Sequence, residues 1–251
     1  MNIASGLDAL NMLNNDGEGA KHENKFTPFK AGESKTVKIL STQDVVAAYT
    51  YSIYRKVPTF VPEEMPKLSK KGYPVENLTP WDKASQYHYD LSEAQRDHHS
   101  QEGYKYAIKP RYAFGFYDLD EEELIIIDFS KKQAKSLHEA IMRQEKKIGK
   151  KAFTLEKTNP AVKSDTQVIL TPEDLEDLTD KQQEAFDKAP EEFDKEMFED
   201  LFYVQDEQQM VESLHSVGFD VTKIGFEAPT SEEAQPAQTA EVNEEDPTEN
   251  F

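Results

Sequence analysis

Apolar and polar residues alternate with the period of a half-buried strand in several stretches of this chain. Residues 34–40 put Val37 and Ile39 on one face. After a polar break at 41–44, residues 45–54 put Ala47, Tyr49, Tyr51 and Ile53 on one face, so the two runs read as one long bent strand. Residues 104–117 carry Tyr104, Tyr106, Ile108, Tyr112, Phe114 and Phe116 on one parity and Lys105, Lys109 and Arg111 on the other. An acidic turn at 118–123 leads into an apolar strand at 124–129. The period then becomes helical: Ser130 caps a helix running to about Ile148, with Ala134, Leu137, Ile141 and Ile148 as its apolar stripe and Gly149 as its stop. Residues 152–157 and 166–170 read as two further strands.

Long strand, strand, strand, helix, strand, strand is the order of an OB barrel, whose ligands lie on one sheet face and its flanking loops. The expected fold is therefore mainly β: an OB-like five-stranded barrel over residues 26–170 with one internal helix. A mixed α/β sandwich has the same order. Residues 57–103 hold five prolines, the single Trp81 and Tyr87-His88-Tyr89, and read as a long, loop-rich insertion between the first two strands. Residues 1–25 read as a short helix (Ile3, Leu7, Leu10, Leu13, capped by Ser5) and a linker. Residues 171–227 read as acidic helices, one starting at Thr171-Pro172 and one at Pro190 with Phe193, Met197 and Leu201 along one side, packed on the barrel. Residues 228–251 have no basic residue and the Glu, Pro, Ala, Thr and Gln composition of a disordered tail.

The net charge of −20 is unevenly spread. Residues 1–20 sum to −3, residues 21–157 to +4 and residues 158–251 to −21. A mildly basic middle joined to a strongly acidic end suits a polyanion-binding core with an acidic tail, and equally an ordinary domain with a solubilising one. There is no cysteine, which removes disulfides and thiolate metal sites and fits a reducing cytoplasm. No basic–apolar leader and no apolar run of membrane length stands in the sequence. Phosphate-cradling glycine loops, His-Glu-x-x-His and Gly-x-Ser-x-Gly are absent, so a non-enzymatic protein without cofactor is expected. His88 with Asp97-His98-His99 could offer imidazole and carboxylate to a cation, but such a cluster reads first as a solvated loop, and no metal is expected.

Aromatic and basic residues interleave in two of the strands. Tyr49, Tyr51 and Tyr54 lead into Arg55-Lys56, and Tyr104-Lys105-Tyr106 leads into Lys109, Arg111, Tyr112 and Phe114, of which Tyr104 and Phe114 stay outside the candidate set. A single-stranded nucleic acid offers unstacked base faces to rings and phosphates to cations. With Lys38 on the opening strand, these are the candidate DNA-binding residues. The competing expectation is that one parity of residues 104–116 lines the core, with Phe114 and Phe116 foremost. The final residues, Glu244-Glu245-Asp246-Pro247-Thr248-Glu249-Asn250-Phe251, put an aromatic side chain behind a run of carboxylates. Glu244, Glu245, Asp246 and Phe251 are the candidate partner-binding residues, docking on a basic rim or competing for the chain's own cationic groove. An acidic adaptor or DNA mimic is the alternative reading of the same charge.

Three stretches resemble the single-stranded DNA-binding, helix-destabilising proteins of T-even-related tailed bacteriophages. They are Gly32-Glu33-Ser34-Lys35-Thr36-Val37-Lys38-Ile39-Leu40, then Ile108-Lys109-Pro110-Arg111-Tyr112-Ala113-Phe114, then the strand, helix and strand over residues 124–157. The resemblance covers about residues 26–170 in order and the tail in composition. It implies an OB fold that coats single-stranded DNA during replication, recombination and repair, in the cytoplasm of a bacterial host. Lys109 and Arg111 would meet phosphates, Tyr106 and Tyr112 would lie along the strand, and the acidic tail would recruit replication proteins. Two departures stand out: the cysteines with which the best-known members hold zinc in the insertion are missing, and residues 1–20 lack the basic arm those members use for cooperativity.

Overall fold

The computed structural model describes residues 25–161 and 166–229. The expected N-terminal helix and the candidate partner-binding residues Glu244, Glu245, Asp246 and Phe251 lie outside them. In chain order the elements are β1 (Ser34–Lys38), β2 (Val45–Ile53), β3 (Val57–Pro62), β4 (Lys67–Leu68), β5 (Pro74–Glu76), α1 (Pro80–Leu91) and α2 (His98–Tyr106). They continue as β6 (Lys109–Asp118), β7 (Glu123–Ser130), α3 (Lys131–Arg143), β8 (Ala152–Lys157), β9 (Val168–Glu173), α4 (Asp180–Lys188), β10 (Tyr203–Gln205) and α5 (Glu207–Ser216).

Eight strands form one mixed sheet in the order β10-β3-β2-β6-β1-β8-β9, with β7 on the other edge of β6, while β4 and β5 form a separate hairpin. β6 is the hub. Along one edge it pairs first with β2 (Val45↔Phe114 through Thr50↔Lys109) and then with β1 (Val37↔Asp118), and along the other it pairs with β7 over its whole length except the first two residues. β1 and β2 are thus two halves of one strand edge, interrupted where the Gly115 amide donates to the Asp44 carbonyl. β1 also pairs with β8, and β8 with β9. No ladder joins β7 to β9, so the expected closed barrel is not formed: α3 packs against both strands instead.

The helices start where their caps dictate. Thr79 with Asp82, Ser130 with Gln133, Thr179 with Gln182 and Asp206 with Gln209 are capping boxes, each satisfying amides that the first turn leaves without intrahelical partners. α3 ends at Arg143 and a single 3-10 turn carries the chain to Lys147, so the helix is shorter than the apolar stripe through Ile148 suggested.

Four other expectations are corrected. Residues 57–103 are ordered structure, one strand of the large sheet (β3), the β4–β5 hairpin, α1 and the first part of α2, because they build a second core. Tyr104 and Tyr106 end α2 rather than opening a strand. Pro172 lies in β9 rather than starting a helix: it stands near the end of an edge strand, where its missing amide leaves no buried donor unpaired. The segment after Pro190 is extended, with one 3-10 turn at Lys195–Phe198.

Two main cores result. The first joins Val37, Ile39, Phe114, Phe116, Ile125, Ile127, Phe129, Phe153 and Leu155 under the sheet, closed by Ala134, Leu137 and Ile141 of α3. The second surrounds Trp81, which is fully buried among Tyr51, Phe60 and Tyr106 and whose Nε1 donates to the Met210 carbonyl (3.2 Å) and to Ser213 Oγ (3.1 Å). The opposite face of β6 is covered as well. Residues 189–202 cross it as a strap, with Phe193 and Leu201 buried against Ala113 and Ile126, and Lys195 paired with the buried Asp44. Gly115 lets Phe193 sit directly on the strand: a Cβ there would stand 2.5 Å from the ring. Among the described residues no helix is long and apolar enough to cross a membrane.

Gly115→Ala should therefore push Phe193 off the strand and cost about 1–3 kcal/mol, as over-packing does. Urea unfolding followed by Trp81 emission measures it, and a loss below a few tenths of a kcal/mol would mean that the strap is not held there.

Candidate functional site: an aromatic and basic rim

The β2–β6 register brings the two aromatic–basic runs of the sequence side by side. Tyr49 stands opposite Pro110, Thr50 opposite Lys109, Ala48 opposite Arg111 and Ala47 opposite Tyr112. Side chains alternate across a ladder, so Lys109 and Arg111 leave one face and Tyr49 and Tyr112 the other. The ladder ends at Thr50 and Lys109, and α2 lies against β2. There Tyr49 is exposed, and the Lys109 ammonium lies 4.3 Å from the Tyr104 ring centroid. Tyr104 belongs to the aromatic–basic run of the sequence but not to the candidate DNA-binding residues, and it lies on α2 rather than on a strand. A helical spacing of His99, Gly103 and Tyr106 carries the signal that would have placed it on a helix, one position from the buried side.

Further along the same edge, residues 54–56 make the tight turn between β2 and β3. Arg55 adopts φ 57° and lays its guanidinium over the Tyr54 ring, 5.1 Å from the centroid, and both Arg55 and Lys56 are exposed. The aromatic and basic side chains of the β2 edge region are thus Tyr49 on one face of the ladder, Lys109 with Tyr104 on the other, and Tyr54, Arg55 and Lys56 at the β2–β3 turn.

The remaining candidates are placed elsewhere. Tyr51 and Tyr106 are 1% and 2% exposed in the second core, so their ring faces touch Trp81 and cannot stack on a base. Tyr51 also has a structural duty: its hydroxyl donates to Asp82 Oδ1 at 2.8 Å and accepts from Thr79 Oγ1 at 3.0 Å. Burial raises the Asp82 pKa, and these hydrogen bonds oppose the rise. Tyr112 is half-buried against the first core. Arg111 is held by Asp128, with Nη2 at 2.6 Å and Nε at 3.2 Å from the same carboxylate oxygen, and both side chains are nearly covered. Its charge is thus already met by a neighbouring anion. Lys105 is paired with Glu102 at 2.9 Å on α2. Lys38 is remote from the rim: it lies over the Phe186 ring of α4 and donates to the Phe186 carbonyl, and burial lowers its pKa.

The histidine cluster is not a loop. His88 on α1 and His99 on α2 bring their Nδ1 atoms to 3.1 Å, and His88 stacks on Tyr106. Among the described residues no group of three His, Asp or Glu side chains is arranged to hold a metal ion. Scans against protein-family models, curated proteins and solved structures return no match.

Burial lowers the His88 pKa; His99, His98 and Lys105 push it the same way, and Glu102 opposes them. The folded state therefore resists a proton that the unfolded chain accepts near pH 6.5. Its stability contribution is complete above that value and is lost as pH falls through it toward the lower folded value. The expected outcome is a melting temperature that drops between pH 7 and pH 5, with a shallower drop in His88→Gln. Equal slopes in the two proteins would show that this histidine is not the group responsible.

Proposed function

We propose that this chain binds and coats single-stranded DNA without strong sequence preference and is not an enzyme. The observation that carries the reading is the ladder order. Taking β1 and β2 as one interrupted strand, the pairings first–second (β1/β2 with β6), second–third (β6 with β7), first–fourth (β1 with β8) and fourth–fifth (β8 with β9) are those of an OB barrel. The helix stands between the third and fourth strands, and packs where a β7–β9 ladder would close the barrel. The insertion between the first and second strands occupies the position of an OB binding loop.

In such a barrel the ligand lies over the second and third strands. Here the acidic strap covers the middle of that face, at Ala113 and Ile126. The surface left for a nucleic acid is the rim beside the insertion, edged by Tyr49 on one face of the ladder and by Lys109 with Tyr104 on the other, together with the β2–β3 turn that carries Tyr54, Arg55 and Lys56. Rings there stack on bases, each worth about 1–3 kcal/mol, and the lysines neutralise phosphates. The resemblance to phage helix-destabilising proteins supports a role in DNA replication, recombination and repair, in a bacterial cytoplasm. The acidic residues 228–251 would then recruit partner proteins through Glu244, Glu245, Asp246 and Phe251, and compete with DNA for the rim.

Titration of end-labelled oligo-dT and of a matched duplex with the full chain, and with a chain ending at Glu227, tests this at two salt concentrations. The label belongs on the DNA, because Trp81 is buried and reports folding. Salt-sensitive single-strand binding is expected, with little duplex binding and tighter binding after truncation. Lys109→Ala should weaken binding of all sequences alike and lower the salt slope by about one. If neither chain binds at low salt, the acidic region acts instead as an adaptor or DNA mimic, for which the charge of −21 over residues 158–251 is the supporting feature.

A further inference from the structure

Three aromatic side chains of the described residues are exposed: Tyr49 at 36%, Tyr73 at 67% and Tyr89 at 43%. They come from three separate elements, β2, the loop entering β5, and α1, and the fold gathers them on one side of the insertion. The β4–β5 turn is closed by the Gly72 amide on the Ser69 carbonyl (2.9 Å), the Ser69 amide on the Tyr73 carbonyl (2.8 Å) and the Tyr73 amide on Ser69 Oγ (3.1 Å). Gly72 takes φ +84°, and a Cβ built on it would stand 3.4 Å from the Tyr49 hydroxyl, so the turn is seated against the Tyr49 ring. Tyr89 lies on the backbone of α2: a Cβ on Gly103 would be 3.1 Å from its ring carbons. The residue after Gly103 on α2 is Tyr104, whose ring lies under the Lys109 ammonium. Tyr73 acts electrostatically on Tyr89, whose hydroxyl pKa is raised first by burial and then by Tyr73, so the hairpin and α1 face each other.

Packing covers only part of these rings, the Gly72 turn on Tyr49 and the α2 backbone on Tyr89, and leaves each exposed. A tyrosine in a core is covered, as Tyr51 and Tyr106 are. The tip of the hairpin adds Lys70 and Lys71, both exposed and without an ion-pair partner among the described residues, whereas Lys67 at its base is paired with Glu76. Ring faces open to solvent next to unpaired ammonium groups match one chemistry well: unstacked bases joined by phosphates. A duplex buries its base faces, and an acidic peptide would use the lysines without the rings.

We infer that the β4–β5 hairpin and α1 form a second base-stacking subsite, in which Tyr73 and Tyr89 continue the Tyr49 rim and Lys70 and Lys71 hold the phosphates of a single strand. This rests on the single-strand reading above and extends the bound path from the β2 edge onto the insertion. Neither tyrosine belongs to a buried core, but Tyr89 packs on the α2 backbone, so the melting temperature of each variant is the control for fold.

The test uses the full chain with Tyr73→Ala, Tyr89→Ala and Lys70→Glu/Lys71→Glu, each checked for an unchanged melting temperature, and end-labelled oligo-dT with and without abasic residues. Each alanine variant should bind dT about tenfold more weakly. Tyr73→Trp should bind as the unaltered chain does, and the double lysine variant should show a smaller salt slope. Abasic substitution should weaken binding by the unaltered chain and have less effect on the Tyr73→Ala/Tyr89→Ala chain. If the unaltered chain binds dT and both alanine variants bind it equally well, the subsite is overturned while the single-strand reading stands. If the unaltered chain does not bind dT, both fall together.

Discussion

β6 is the constraint on which the molecule depends. It is laddered along both edges and covered on both faces, so every residue from Ala113 to Asp118 is buried. A strand in that position needs large side chains on the face that fills the first core and small ones where another segment lies close. Phe114 and Phe116 alternate with Ala113 and Gly115 for this reason, and the gap at Gly115 is filled by Phe193. Phe193 anchors the strap, which carries Glu191, Glu192, Asp194, Glu196, Glu199 and Asp200 across the sheet. Part of the acidic charge of the C-terminal half is thereby built into the fold.

The same sheet serves a second core only because β2 runs past the end of its β6 ladder. Tyr51 and Ile53 there pack with β3, α1, α2 and α5 around Trp81. The insertion is therefore a structured layer with its own buried polar network, Tyr51–Asp82–Thr79, rather than a loop. Asp82 caps α1 and accepts from a tyrosine of the sheet, which ties the helix to the strand through one carboxylate.

Strands with a clean two-residue period were legible in the sequence. Residues 152–157 match β8 to the residue, and the two-part first strand corresponds to β1 and β2 on one edge of β6. The capping box at Ser130 marked the start of α3 equally well. Residues 57–103 were not legible, because proline density signals broken chain but says nothing of a core built from distant partners such as Met210 and Leu214. At the candidate site, exposure was the quantity that sequence could not supply. Tyr49 and Tyr51 share a parity, yet a covering layer begins between them, leaving one ring exposed and burying the other. Arg111 looked like a phosphate ligand until Asp128, seventeen positions away and diagonally across the ladder, paired with it. Tyr73, although it follows Lys70 and Lys71, and Tyr89 stand outside the two interleaved strand runs and are brought to the rim only by the fold.

The central claim is that a single strand runs along the rim of β2 and onto the insertion, avoiding the sheet face under the strap. Photocross-linking of oligonucleotides containing 5-iodouracil to the full chain, followed by mass mapping of the adducts, tests it most directly. Adducts on Tyr49, Tyr54, Tyr73, Tyr89 or Tyr104 are the predicted result. Adducts confined to the β8–β9 edge or to the strap, with none on these tyrosines, would contradict it.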